Sequence, residues 1–181
     1  MATHAKVLVG YATAAGSTAG IAGRIAARLT DAGHHVRCAV VGPEVDPTGY
    51  DAVVVGSAVH SMAWLPPALD LLGRAVTAGV RPVWCFSVGG VVPDGPLTRW
   101  MATMEAQRVA RAFPAGFMPR DHRVFGGVVD MSGLPLWGRL FWRAVGGRPG
   151  DHRDWAAVDA WARTIAADLA ARPATAAPDQ G

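Results

Sequence analysis

Three hydroxyls and a glycine stand close together in Thr13-Ala14-Ala15-Gly16-Ser17-Thr18. A run of strand formers precedes them (Val7, Leu8, Val9, Tyr11), and a helical pattern follows, with Ile21, Ile25 and Leu29 spaced by four. A strand, a tight small-residue loop and a helix start make a ready anion site. The first backbone N–H groups of the helix point into the loop, and the helix dipole favours negative charge there. Thr13, Ser17 and Thr18 add hydroxyl donors.

The loop type narrows the anion. A triphosphate-cradling loop needs GxxxxGK[ST], and this loop has no Lys. A dinucleotide loop needs GxGxxG, and Gly16 and Gly20 have the wrong spacing. A loop that holds the terminal phosphomonoester of flavin mononucleotide (FMN) uses hydroxyls and backbone N–H groups without a cation, and Thr-x-x-Gly-Ser-Thr fits that best. The plain alternative is a strand–helix turn built from small residues.

The elements that must position this loop alternate along the chain. The pattern predicts strands over 6–12, 35–41, 51–59, 82–90 and 124–130, and helices over 17–31, from Pro66 to Ala78, from about Leu97 to Phe113, and from about Trp155 to Ala171. Gly33 is the expected stop of the first helix, and Asp154 the expected N-cap of the last. The Val run of the third strand implies burial on both faces. Such alternation implies an α/β fold, a parallel sheet with helices on both faces. Its size suits a flavodoxin-like three-layer sandwich with a five-stranded sheet in the order 2-1-3-4-5. That order places a ligand beyond the carboxyl ends of strands one and three. One domain over 1–172 is expected, followed by a disordered tail at 173–181.

Residues 131–153 exceed a minimal fold. Leu134 to Val145 has the makings of a short helix carrying Leu136, Trp137, Leu140, Phe141, Arg139 and Arg143. So broad an apolar surface with two Arg suits a cover over a substrate, a partner or a membrane surface, or an extra helix packed on the sheet edge.

The 181 residues are 51% hydrophobic and 17% charged, which is a globular rather than a disordered composition. The net charge of +3 favours acidic ligands or anionic surfaces over basic partners. Cys38 and Cys85 fall in separate predicted strands with no CxxC, so a reducing compartment is expected. The start loosely imitates a signal peptide, but Gly10 and Thr13 break its apolar run, and it reads better as the first strand. No apolar stretch reaches the ~18 residues of a membrane-spanning helix. The histidines show no metal-ligand spacing, and no metal site is expected. No nucleophilic triad is evident either, and no catalytic side chain is assigned.

Tyr11 to Thr18 resembles the flavodoxin phosphate loop, T-x-T-G-x-T, with Ala15 in place of the middle Thr. Further on, Gly56 to Val59, Phe86-Ser87-Val88, and the series Leu136-Trp137, Gly146-Gly147, Asp154-Trp155 resemble the menaquinone-dependent protoporphyrinogen oxidase group of flavodoxin-like proteins. The likeness runs over most of residues 6–170. It implies FMN, with Thr13, Ala14, Ala15, Gly16, Ser17 and Thr18 at the phosphate. Ser57, Ala58, Val59 and His60, and Ser87, Val88, Gly89 and Gly90, would enclose the ring. It also implies a tetrapyrrole donor and a quinone acceptor, with Trp137, Arg139 and Arg143 facing the substrate.

Two readings stay open. One is an FMN-dependent oxidoreductase acting on a small redox substrate, such as protoporphyrinogen IX. The other is a non-catalytic flavin or deazaflavin carrier, or a flavodoxin-type electron shuttle. Shuttle flavodoxins are usually acidic, whereas this chain is basic. A cytoplasmic protein is expected, with residues 134–145 offering peripheral contact with the inner face of the membrane or a homodimer interface. Nucleic acid is not an expected partner.

Overall fold

A computed structural model describes residues 4–89, 96–129 and 150–172, with only the backbone described at 96–99, 101–102 and 129. The expected substrate residues Trp137, Arg139 and Arg143, ring residue Gly90, the helical insert apart from its last residues, and the 173–181 tail lie outside the described residues.

The central sheet contains β1 (Lys6–Ala12), β2 (His35–Val40), β3 (Ala52–His60), β4 (Ala63–Trp64), β5 (Val83–Gly89) and β6 (His122–Gly126). Its order is β2-β1-β3-β5-β6, all parallel, with β4 antiparallel on β3. With the short β4 set aside, this is the expected 2-1-3-4-5 order. In the register, Val9 stands beside Cys38 on one side and Val54 on the other. Val53, Val54 and Val55 are all fully buried, as a strand covered on both faces requires.

Two cores flank the sheet. Helices α1 (Ser17–Asp31) and α4 (Trp155–Ala170) cover one face, where Ile21, Ile25 and Leu29 meet Trp161 and Ile165. Helices α2 (Pro66–Thr77) and α3 (Pro96–Ala110) cover the other, where Leu71 and Leu72 join Val109 and Phe113. The apolar stripe of α1 explains its packing. Its end is a Schellman turn: Gly33 has φ 92°, its N–H donates to Thr30, and the His34 N–H donates to Leu29. Asp154 caps α4, its carboxylate accepting from the Ala157 N–H at 3.0 Å.

An ion cluster fixes α1 against α4. Arg24 reaches Asp159 at 2.6 and 2.8 Å, and Arg28 reaches the same carboxylate at 3.0 Å. Hydrogen bonds from Arg24 and then Arg28 hold the Asp159 carboxyl far below the usual carboxylate range.

The structure shifts both ends of the fifth parallel strand and the end of α3. The fifth parallel strand starts at His122, because pairing along β5 already begins with Arg120 N–H to Val83 and Cys85 N–H to Asp121. It stops at Gly126, and β7 (Val128–Val129) pairs instead with β8 (Gly150–Asp151). Gly127 leaves the ladder, donating to Gly89 at 2.9 Å and accepting from the His152 N–H at 3.1 Å. Helix α3 ends at Ala110 rather than Phe113, in a tightened turn just before Pro114. Among the described residues, no helix is long and apolar enough to cross a membrane.

Gly56 lies in mid-strand with the Phe86 ring directly over it, leaving no room for a Cβ. Phe86 in turn packs edge-on to Trp161 at 6.1 Å. Gly56→Ala is therefore expected to push Phe86 off its rotamer and destabilise the fold by about 1–3 kcal/mol. Urea unfolding measures this, and an unchanged midpoint would contradict the packing.

Candidate functional site

The site is built where β1, β3 and β5 end. The register aligns Ala12 with Ser57, and Ser57 with Ser87. Three loops therefore leave the sheet side by side.

The first runs from Thr13 to Thr18. Gly16 adopts φ 88°, a left-handed conformation that glycine takes at little cost, and no atom lies near its missing side chain. The Gly16 N–H donates to Thr13 Oγ1 at 2.9 Å, which closes the turn. Helix α1 then starts with no side-chain cap and no acidic residue in its first turn. The Ala19 N–H finds Gly16 O at 3.1 Å, but the Ser17 and Thr18 N–H groups precede any intrahelical acceptor. Thr18 is fully buried, and its Oγ1 has no hydrogen-bond partner among the described residues. A buried hydroxyl without a partner carries a desolvation cost of about 1–3 kcal/mol. Uncapped donors, an orphaned hydroxyl and an open glycine together fit a phosphomonoester.

The second segment differs from the loop expected at Ser57–His60. These residues continue β3 and turn back through Ser61 and Met62 into β4, pairing Val59 with Trp64 and His60 with Ala63. Ser61 and Met62 have φ 52° and 61°, a conformation non-glycine residues adopt at a cost. His60 is exposed beside this turn, while Ala58 and Val59 are half-buried. The Ser57 hydroxyl is committed to structure: it accepts from the Leu65 N–H at 3.0 Å, at the start of α2, and donates to Ala58 O at 2.8 Å.

The third segment is the end of β5. Ser87 is buried and accepts from Trp64 Nε1 at 2.8 Å, with His122 Nε2 at 2.9 Å. Trp64 is thus a packing residue, edge-on to Phe113 at 4.9 Å. Val88 faces the α1/α4 core. Gly89 meets Gly127, and a Cβ on Gly127 would stand 3.0 Å from Val88 and 3.1 Å from Ser17 Oγ. The ends of β5 and β6 therefore close directly against the anion loop.

The structure thus brings Thr13–Thr18 and Gly89 into one neighbourhood, and turns the Ser57 and Ser87 hydroxyls inward. Sequence reasoning missed three participants. Gly127 was signalled by the Gly126-Gly127 pair that interrupts a Val-rich run. Arg153 lies against Gly20 on the first turn of α1, over the Trp155 ring at 4.7 Å and paired with Asp151 at 2.6 Å. Hydrogen bonds from Arg153 pull the Asp151 carboxyl down to about 2. Glu105 of α3, close to Gly89, had no sequence signal. Among the described residues no cluster of His, Cys, Asp and Glu is arranged to hold a metal.

A parallel sheet in this order, with a helix that starts uncapped after β1, is the arrangement of a flavodoxin. The flavodoxin-domain family model matches residues 8–154, and the chain belongs to that family. No curated protein sequence matches it. Among solved structures, it resembles oxidised flavodoxin 2 from Bacillus cereus at 20% identity and a TM-score of 0.54, covering 91% of this chain and 99% of that one. An archaeal flavodoxin aligns over 91% of this chain and 98% of its own at 15% identity and a TM-score of 0.53. Rubredoxin oxygen:oxidoreductase from Desulfovibrio gigas aligns at 18% identity and a TM-score of 0.51 over 91% of this chain but only 36% of its own length. At these identities the likenesses establish the fold.

Burial lowers the pKa values of both His122 and His34. The unfolded chain binds protons more readily near pH ~6.5, so stability is full above that value and falls as pH drops below it. Urea midpoints between about pH 5 and 8 should show this slope, and His122→Gln should flatten it. A wild-type protein with flat midpoints would refute the assignment.

Proposed function

We propose that this chain is an FMN-dependent oxidoreductase of the flavodoxin family. The observation that carries the reading is the buried, partnerless Thr18 hydroxyl beside the uncapped start of α1. Ser17 and Thr18 hold the phosphate through hydroxyls and N–H groups, Thr13 and Gly16 close the turn around it, and Ala14 and Ala15 leave the loop open. The β3–β4 turn with His60, and the end of β5 at Gly89, flank the ring. When bound, the flavin supplies acceptance of a hydride or of single electrons. The protein's part is to bind, orient and shield.

The enzyme reading is preferred over an electron shuttle because the chain is basic, with a sequence pI of about 9.4. The resemblance at residues 136–155 makes protoporphyrinogen IX and a quinone the first donor and acceptor to try. Trp137, Arg139 and Arg143 are the residues proposed to face the donor, its propionates suiting the guanidinium groups. The same segment is where contact with a membrane surface or a second copy is proposed.

Titration of the protein with FMN and with riboflavin, which lacks the phosphate, tests the reading. FMN is expected to bind much more tightly. Thr18→Val should weaken FMN by about tenfold, the loss of one hydrogen bond to a charged group, and leave riboflavin unchanged. Equal affinity for the two ligands, or no binding of either, would sink the FMN reading. Release of a deazaflavin from the purified protein would favour the carrier. Turnover of protoporphyrinogen with menaquinone would establish the enzyme, and electron exchange with redox proteins alone would favour the shuttle.

A further inference from the structure

Glu105 lies one turn before Val109, which is fully buried in the α2/α3 core. That spacing turns Glu105 toward the sheet. Its contact with Gly89, the last residue of β5, places the Glu105 carboxyl near the carboxyl end of that strand. Its Oε1 is 2.6 Å from the position a Cβ on Gly89 would take, with Oε2 at 3.7 Å. The carboxyl therefore lies across Gly89, in space that any larger residue would fill.

Among the described residues, Glu105 has no hydrogen bond and no ion pair. Burial alone acts on it and pushes its carboxyl pKa up. The ionisable groups of the surrounding elements are Cys85 on the same face of β5, His122 and Arg123 of β6, His60 at the end of β3, and Arg108 on α3, and none of them influences its titration. His122 is already engaged with Ser87. A half-buried carboxyl with no partner is costly, and packing alone would be met as well by Gln or Leu. Its place connects it to the anion loop, because Gly89 bonds Gly127 and Gly127 abuts Ser17.

We propose that Glu105 is a proton-exchanging group of the site, taking up one proton when negative charge is placed on a ligand held at the ends of β1, β3 and β5. This rests on the FMN reading. One electron arrives from a reductant (dithionite in the test, the redox donor in turnover). One proton from bulk water forms an O–H bond on the Glu105 carboxylate. Nothing else is made or broken, and the net charge of the site is unchanged. Reoxidation releases the proton.

The test uses the FMN-loaded protein, reduced with dithionite and followed by infrared difference spectroscopy and by midpoint potential against pH. Reduction of the wild type is expected to raise a protonated carboxyl C=O band that is lost in Glu105→Gln. The potential–pH profile should show a break above the ordinary Glu range that the Gln variant lacks, with FMN affinity held within about threefold. A wild type with no such band, or a Gln variant that keeps both band and break, overturns the proposal and leaves the FMN reading standing. A wild type that takes up no FMN overturns both. If Glu105→Gln fails to fold, Glu105→Asp takes its place: a shifted band supports the proposal, and an unshifted band, or none in the wild type, overturns it.

Discussion

The chain's whole arrangement follows from one constraint: β1 sits inside a parallel sheet between β2 and β3. Parallel neighbours need crossovers, and α1 takes the crossover to β2 on one face while α2 packs on the other. A crevice opens where those two directions part, at the carboxyl end of β1. The start of α1 is held in that crevice by its Ile21, Ile25 and Leu29 stripe and by the Arg24–Asp159–Arg28 cluster. The anion loop is therefore a consequence of packing far from it. Loosening α1 from α4 would disturb the geometry of donors that never touch α4.

Buried polar groups divide into two kinds. Ser57 secures the start of α2, and Ser87 joins Trp64 to His122. These are closed networks, each hydroxyl with its partners inside the protein. Thr18 and Glu105 are open, neither with a partner among the described residues. Both lie at the carboxyl ends of the strands, on opposite sides of the Gly89–Gly127 contact. The closed networks stiffen the platform, and the open groups are what the platform presents.

The sequence disclosed the fold more fully than the site, for physical reasons. Period-four and period-two patterns report burial, and β1, α1 and α4 came out within a residue of their observed ends. The β3–β4 hairpin was invisible because its turn uses Ser61 and Met62 where Asn-Gly would announce a left-handed pair. Ser57 and Ser87 read as ligand contacts because residue type does not say where a hydroxyl finds its partner. Gly56 carried only a family resemblance, and its reason is packing: the Phe86 ring occupies the space of its missing side chain. Glu105 had no pattern at all: a carboxyl on a helix is usually solvated, and only the space left by Gly89 brings it inside.

As proposed, the loop selects its anion without carrying a cation. Arg153 comes up against the first turn of α1, but its charge is shared with Asp151 at 2.6 Å and its face with Trp155. What remains for an anion is a set of fixed donors: two N–H groups, the Ser17 hydroxyl, and a Thr18 hydroxyl that water does not reach. Interactions of this kind depend on direction as well as distance, and salt screens them weakly where they are buried. A tetrahedral monoester that meets several donors at once gains more than a planar carboxylate does. The empty position of the missing loop hydroxyl, at Ala15, then falls at the exposed rim, where water can serve in its place.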